Sequence, residues 1–158
     1  MDEQIFNKLI KKDKYQVFLF GSKCTIPILF ANHPWFVVSK KGRISRWEVL
    51  MIPEGCKSSW NHLHLNFLPP TTGINIIPYN LNYRWQSKLL GMIEGTKSSL
   101  VKKVIDVIEN SPTNYPFNKK YSLFSPNSNS YVQWVLNQFP ETNLNLPWNS
   151  FGKQYENL

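Results

Sequence analysis

From Tyr15 to Phe67 the sequence is a succession of short aromatic and β-branched runs separated by turn residues. That rhythm leaves an antiparallel sheet as the natural arrangement. Tyr15 to Phe20 reads as a strand stopped by Gly21-Ser22, and His33 to Val38 as a second. Lys40-Lys41-Gly42-Arg43 is a turn and Ile44 to Ile52 a third strand, so the second and third are expected to form a hairpin. Trp60 to Phe67 alternates, with Leu63, Leu65 and Phe67 on one face and His62, His64 and Asn66 on the other, and is expected to be the fourth strand. Upstream, Ile5, Phe6, Leu9 and Ile10 fall at helical spacing and predict a short amphipathic helix over residues 3–12.

Residues 69–85 are rich in Pro, Asn and Gly and predict a long packed connection near a functional edge. Helical periodicity resumes beyond it. Leu100, Val101, Val104, Ile105, Val107 and Ile108 form one broad face, with Thr96 or Ser98 as cap and Asn110-Ser111-Pro112 as terminator. In the last helix Ser125 caps, Pro126 takes the first helical position, Tyr131, Val132, Val135, Leu136 and Phe139 share a side, and Pro140 ends it. The expected class is therefore α+β: an antiparallel sheet of four or more strands packed against helices. One domain is expected over residues 1–158, with a helix in 1–14, strands in 15–68, helices in 96–140 and a tail in 141–158.

Composition bounds the function. At 158 residues and 15% aromatic, the chain is long enough to bury a core and too rich in Trp, Tyr and Phe to be disordered. No apolar run approaches the roughly 20 residues of a membrane span. The Lys11-Lys12-Asp13-Lys14 cluster follows the first apolar residues, the wrong order for a secretory signal, and a cytoplasmic location is expected. Cys24 and Cys56 stand in no CxxC arrangement and read as reduced thiols. The net charge of +8 raises nucleic-acid binding, but Lys and Arg are scattered in pairs with no recognisable motif, and a solvated basic surface explains them as well. His62 and His64 share a strand face without a third ligand at a defined spacing, so neither a metal nor a cofactor is expected.

Two positions carry chemistry. Ser128 falls in the first turn of the last helix, where free N–H groups and the helix dipole favour negative charge, although Ser125, Asn127, Ser128 and Asn129 are also good capping residues. His33 opens a strand between Asn32 and Pro34. Glu48 is the only acid between Lys14 and Pro53, and the hairpin would bring it beside His33; it could orient the imidazole or pair with Arg43 or Arg46.

Four stretches carry a resemblance: His33-Pro34-Trp35-Phe36-Val37-Val38, Arg46-Trp47-Glu48-Val49, Ser125-Pro126-Asn127-Ser128-Asn129-Ser130-Tyr131-Val132, and Leu146-Pro147-Trp148-Asn149-Ser150-Phe151-Gly152-Lys153. In this order they resemble an uncharacterised bacterial domain family in which a His-Pro-Trp strand precedes a Gly-Pro-Asn-Ser-Asn-Thr-Phe helix start. The resemblance runs from about Tyr15 to Tyr155, with Ser125 in place of the usual Gly. More distantly, a strand His followed by a helix-start nucleophile is similar to the permuted papain-like superfamily, which includes NlpC-type peptidases and lecithin:retinol acyltransferase-like enzymes. That resemblance implies a circularly permuted papain-like fold, with the nucleophile position at Ser128, the base at His33 and the orienting residue at Glu48. Serine stands where that chemistry uses cysteine, and neither Cys24 nor Cys56 reads as a helix start.

Two functions follow. In one, Ser128, His33 and Glu48 form a serine variant that hydrolyses or transfers an acyl group. In the other, favoured on sequence because exchanging Cys for Ser normally removes activity from a Cys–His site, the groove binds a peptide, lipid or cell-wall fragment without chemistry. Trp35, Asn127 and Asn129 are the expected ligand contacts, although most of the six tryptophans are expected in the core.

Overall fold

A computed structural model describes residues 1–78, 80 and 82–154, so the last residues of the expected 141–158 tail lie outside the described residues. The class is α+β, as the patterning predicts. Strands β1 (Tyr15–Lys23), β2 (Asn32–Lys40), β3 (Arg43–Val49), β4 (Ser59–Trp60), β5 (Leu63–Leu65) and β8 (Lys88–Gly95) form a six-stranded sheet in the order β4-β5-β3-β2-β1-β8. Every pairing in it is antiparallel. A second, two-stranded sheet pairs β6 (Thr72–Asn75) with β7 (Arg84–Gln86). The helices are α1 (Glu3–Leu9), α2 (Leu100–Glu109), α3 (Ser111–Asn114) and α4 (Ser128–Asn137), followed by a 3-10 turn at Pro140–Thr142.

Strand alternation divides the core in two. Val17 and Leu19 of β1, Phe36 and Val38 of β2, and Trp47 and Val49 of β3 face Val104, Ile105 and Ile108 of α2 and Tyr131, Val132 and Val135 of α4. On the other face Phe18, Phe20, Trp35 and Val37 gather beneath Phe6 of α1, with Phe6 edge-on to Phe18 and Phe20. Because both faces of β1 and β2 are covered, their sequences read as continuous apolar runs.

The structure departs from the expected boundaries at several points, each for a local reason. α1 stops at Leu9 because Ile10 is already extended. Gly21-Ser22 does not end β1. Gly21 pairs with Pro34 on one side and Lys88 on the other, and a Cβ there would come within 2.7 Å of Asn32 Oδ1, so the glycine serves close packing inside the strand. The expected fourth strand is two strands, because Asn61 takes a left-handed conformation (φ 54°) and folds β4 back on β5. The 69–85 connection contains β6 and the start of β7, and β8, which sequence patterning misses, closes the sheet beside β1. The N-cap of α2 is Ser99 rather than Thr96 or Ser98. Asn127, not Ser125, caps α4, so Pro126 precedes the helix and Ser128 is its first residue.

The hairpin of β2 and β3 forms as expected, but the register ends at Phe36↔Trp47, before β3 reaches the start of β2. The Asn32 N–H donates to Asn149 O, and Asn32 O accepts from Asn129 Nδ2, so this residue turns both backbone groups away from β1. Pro34 has the same strand parity, and its missing donor falls on the side that β3 has vacated. The start of β2 is thus open to α4.

Phe36 is fully buried against Tyr131 (ring centroids 6.2 Å apart), whereas Phe124 is exposed. Phe36→Ala is expected to lower stability by about 3–5 kcal/mol and Phe124→Ala by less than about 0.5 kcal/mol, as read by urea unfolding. Equal losses would contradict the assignment of the core.

Candidate active site

The hairpin register and the N-terminus of α4 bring three expected residues together. Val37 lies opposite Arg46 and Phe36 opposite Trp47, so His33 and Trp35 share one sheet face with Arg46 and Glu48. Across the open start of β2, Ser128 Oγ comes within 3.1 Å of His33 Nδ1. On the other side of the ring, His33 Nε2 lies 3.3 Å from Glu48 Oε2. Neither Trp35 nor Trp134 separates the serine from the histidine.

Arg46 completes the cluster. Its NH2 donates to Glu48 Oε2 at 2.7 Å, and its NH1 donates to Pro69 O and Thr72 O at the beginning of the 69–85 connection. The guanidinium lies 4.0 Å from the centre of the Trp35 ring, which also stacks on Phe20. Pairing of Glu48 with Arg46 and orientation of His33 by Glu48 looked like alternatives in the sequence; one carboxylate oxygen does both. The signal for Arg46 was its position two residues before Glu48 on a strand, which puts both side chains on one face.

The electrostatics follow from burial and pairing. Burial disfavours the charged form of Glu48, but the Arg46 guanidinium and the hydrogen bond with His33 outweigh it and hold the carboxyl below its usual range. His33 is also pushed down, by burial first, with Glu48 opposing and Arg46 adding to the fall. Around neutral pH the cluster therefore holds an ionised carboxylate and a neutral imidazole. The carboxylate takes the Nε2–H of the ring, which leaves the Nδ1 lone pair facing Ser128 Oγ–H.

The other polar residues of the Pro-Asn-Ser-Asn-Ser stretch hold structure. Asn127 Oδ1 accepts from the N–H groups of Asn129 and Ser130, and its Nδ2 donates to Leu123 O and Phe151 O. Asn129 Nδ2 donates to Asn32 O and Phe151 O, and Ser130 Oγ to Gly152 O. These bonds fasten the 147–152 segment to the helix start. Tyr131 N–H is taken by Asn127 O, whereas no described residue accepts from Ser128 N–H. Among the described residues, the Ser128 N–H is the one of the four orphan donors at this helix start that remains without an acceptor. Trp35, expected as a ligand contact, is fully buried and donates its Nε1–H to Pro70 O. Asn127 and Asn129 are buried as well.

A second Ser–His contact shows what distinguishes the first. Ser59 Oγ lies 2.7 Å from His64 Nδ1, but His64 Nε2 faces the Ile52 carbonyl rather than a carboxylate, and Ser59 Oγ also accepts from Cys56 N–H. His62 Nδ1 donates to Leu50 O. Both rings are thus committed to the loop before β4. The two cysteines are free, and burial pushes the Cys24 thiol up to about 11, so it holds no thiolate at neutral pH.

Arg46→Ala leaves the Glu48 carboxylate buried without its cation, and an expected loss of about 3–5 kcal/mol follows. Urea unfolding checks it, and a loss under about 1 kcal/mol would show that the pair is not buried as described. Acid is expected to weaken the fold in the same region. Because folding lowers the pKa of His33 from its ordinary 6.5, the unfolded chain binds a proton that the folded chain refuses. That contribution is complete above pH 6.5 and is lost as pH falls below it, with Glu48 adding its own loss below its ordinary 4.5. His64 is also lowered and contributes in the same direction. Melting temperature should therefore fall between pH 7 and 5, less steeply in His33→Gln; an unchanged slope in that variant would contradict the assignment.

Neither a curated protein nor a solved structure matches the chain. A family model does, over residues 14–155, a span that contains β1 to β8, all three site residues and the segment fastened to them; the chain belongs to the family described as Protein of unknown function (DUF3750).

Proposed function

We propose that the protein is a serine-dependent acyl hydrolase or acyltransferase, with Ser128 as nucleophile, His33 as general base and acid, and Glu48 as the group that orients and stabilises the histidine. The observation that carries this reading is the continuous chain from Ser128 Oγ through His33 Nδ1 and Nε2 to Glu48 Oε2, with contacts of 3.1 and 3.3 Å. Helix capping alone would not require a neutral imidazole and a buried carboxylate behind the serine.

In the proposed reaction Ser128 Oγ attacks the carbonyl carbon of an ester or amide while its proton passes to His33 Nδ1. Glu48 stabilises the imidazolium through Nε2–H, and the tetrahedral oxyanion is met by Ser128 N–H at the start of α4. His33 then returns the proton to the leaving alcohol or amine as the carbon–heteroatom bond breaks. Water, or an acceptor alcohol or amine, attacks the acyl-serine with His33 again taking the proton, and Ser128 is regenerated.

Arg46 sets a limit on this base. It keeps Glu48 ionised, yet it binds the shared Oε2 at 2.7 Å against 3.3 Å for His33, so much of the carboxylate charge is already compensated. The histidine is consequently a weak base. The acidic limb of the pH–rate profile should lie below pH 6.5, the ordinary value for histidine, because burial lowers it.

A second reading, binding of a peptide, lipid or cell-wall fragment without chemistry, draws support from the burial of Ser128 and His33, which are 4% and 3% exposed. Fluorophosphonate labelling separates the two. Hydrolase function predicts covalent labelling at Ser128, absent in Ser128→Ala and reduced at least about 100-fold in rate in His33→Ala. No labelling of the folded wild type, or labelling indifferent to His33, would leave the binding reading.

A further inference from the structure

Three loops meet around the start of α4, and they present large apolar side chains to solvent. Phe124 is 85%, Trp148 83% and Phe30 63% exposed, and Leu123 and Phe151 are exposed beside them. The loops are joined by specific bonds. Asn127 Nδ2 bridges Leu123 O and Phe151 O, Asn149 Nδ2 donates to Phe30 O, and the Phe30 and Phe151 rings meet edge-on at 5.7 Å. Asn149 O receives the N–H of Asn32, the neighbour of His33. The exposed side chains are thus carried on the same scaffold that positions Ser128 and His33. Scattered single apolar residues need no explanation, but five on three tied loops at one end of the fold do.

Charge shows what would cover them. The segments 14–47, 110–140 and 142–155 contain no Asp or Glu, so all three loops are free of acids. Lys23 ends β1 beside Asn32, Lys88 pairs with Gly21, and Lys153 follows Gly152, all at this end of the sheet. At the opposite end two bases pair with acids, Lys11 with Glu94 and Lys40 with Glu109. Exposed Trp and Phe flanked by lysine, without acids, match the boundary between headgroups and acyl chains in an anionic bilayer. Among the described residues no helix is long and apolar enough to cross a membrane, so the contact would be peripheral.

We infer that the loops bearing Phe30, Phe124, Trp148 and Phe151 dock the protein onto an anionic lipid bilayer, with the Ser128 site turned toward the surface. Under the hydrolase reading, on which only this last step rests, the acyl substrate is then a lipid drawn from that surface. Docking itself does not depend on the reactivity of Ser128.

The test is sedimentation with phosphatidylcholine vesicles, with and without about a third phosphatidylserine, using the wild type, Phe124→Ser/Trp148→Ser and Lys23→Glu/Lys153→Glu. Wild type should partition onto the anionic vesicles and at least about 10-fold less onto neutral ones, and each double variant should lose at least about 10-fold while keeping its melting temperature. A blue shift of tryptophan emission on vesicle addition, absent in Trp148→Phe, would place that ring in the interface. No partitioning of the wild type, or partitioning unaffected by either double variant, would overturn the proposal. So would light scattering that shows a dimer lost in Phe124→Ser/Trp148→Ser, since a second copy would then cover the surface. Because fluorophosphonate labelling is performed without lipid, failure of docking and failure of the nucleophile are read separately.

Discussion

The site depends on a single buried oxygen. Glu48 Oε2 meets both His33 Nε2 and Arg46 NH2, and all three side chains are removed from solvent. Remove Arg46 and burial would drive the carboxyl toward its neutral form, which no longer dictates the histidine tautomer. Remove Glu48 and, among the described residues, the guanidinium keeps the carbonyls of Pro69 and Thr72 and the face of Trp35. A buried ion pair is weak evidence of stability, since well-packed apolar residues of equal volume often serve as well. Its retention under two covered sheet faces is better explained by what it does to the ring of His33.

This dependence links fold to chemistry. The shortness of the β2–β3 register opens the beginning of β2, Asn129 occupies the exposed Asn32 carbonyl, and Ser128 is carried to the histidine by the same helix start. Asn127 caps that helix and binds the 147–152 segment at once, so positioning of the serine and closure of the fold are one set of hydrogen bonds. The cap has a chemical consequence. By taking the N–H groups of Asn129 and Ser130 it leaves Ser128 N–H as the helix donor that the proposed reaction aims at an oxyanion.

Much of this was legible in the sequence, and the failures have physical causes. The turn at Lys41-Gly42 and the runs on either side read correctly as a hairpin, because both φ values there are positive and the strands are buried. Alternation from Trp60 to Phe67 was misleading: periodicity cannot see a left-handed Asn61 that reverses the chain. β8 escaped because its face is only partly buried and Gly91 interrupts the pattern, where a Cβ would come 2.7 Å from Leu144. Ser128, His33 and Glu48 were singled out by helix start, strand start and scarcity of acids, and the structure brings them together. Trp35 was named from its aromatic character, which does not distinguish a ring that meets ligand from one that supports Arg46. The basic residues read from the sequence as a solvated surface include Lys23 and Lys153, which stand in acid-free stretches that also carry the exposed Phe124 and Trp148.

The central claim is that the buried pair holds His33 neutral with its proton on Nε2 and its lone pair toward Ser128. Nitrogen-15 NMR of the imidazole rings, assigned with His33→Gln and followed from pH 8 to below the ordinary histidine value of 6.5, reports both protonation and tautomer. The account predicts a protonated Nε2 and an unprotonated Nδ1 at neutral pH, persisting below pH 6.5. An imidazolium at pH 7, or a proton on Nδ1 with a free Nε2, would contradict it.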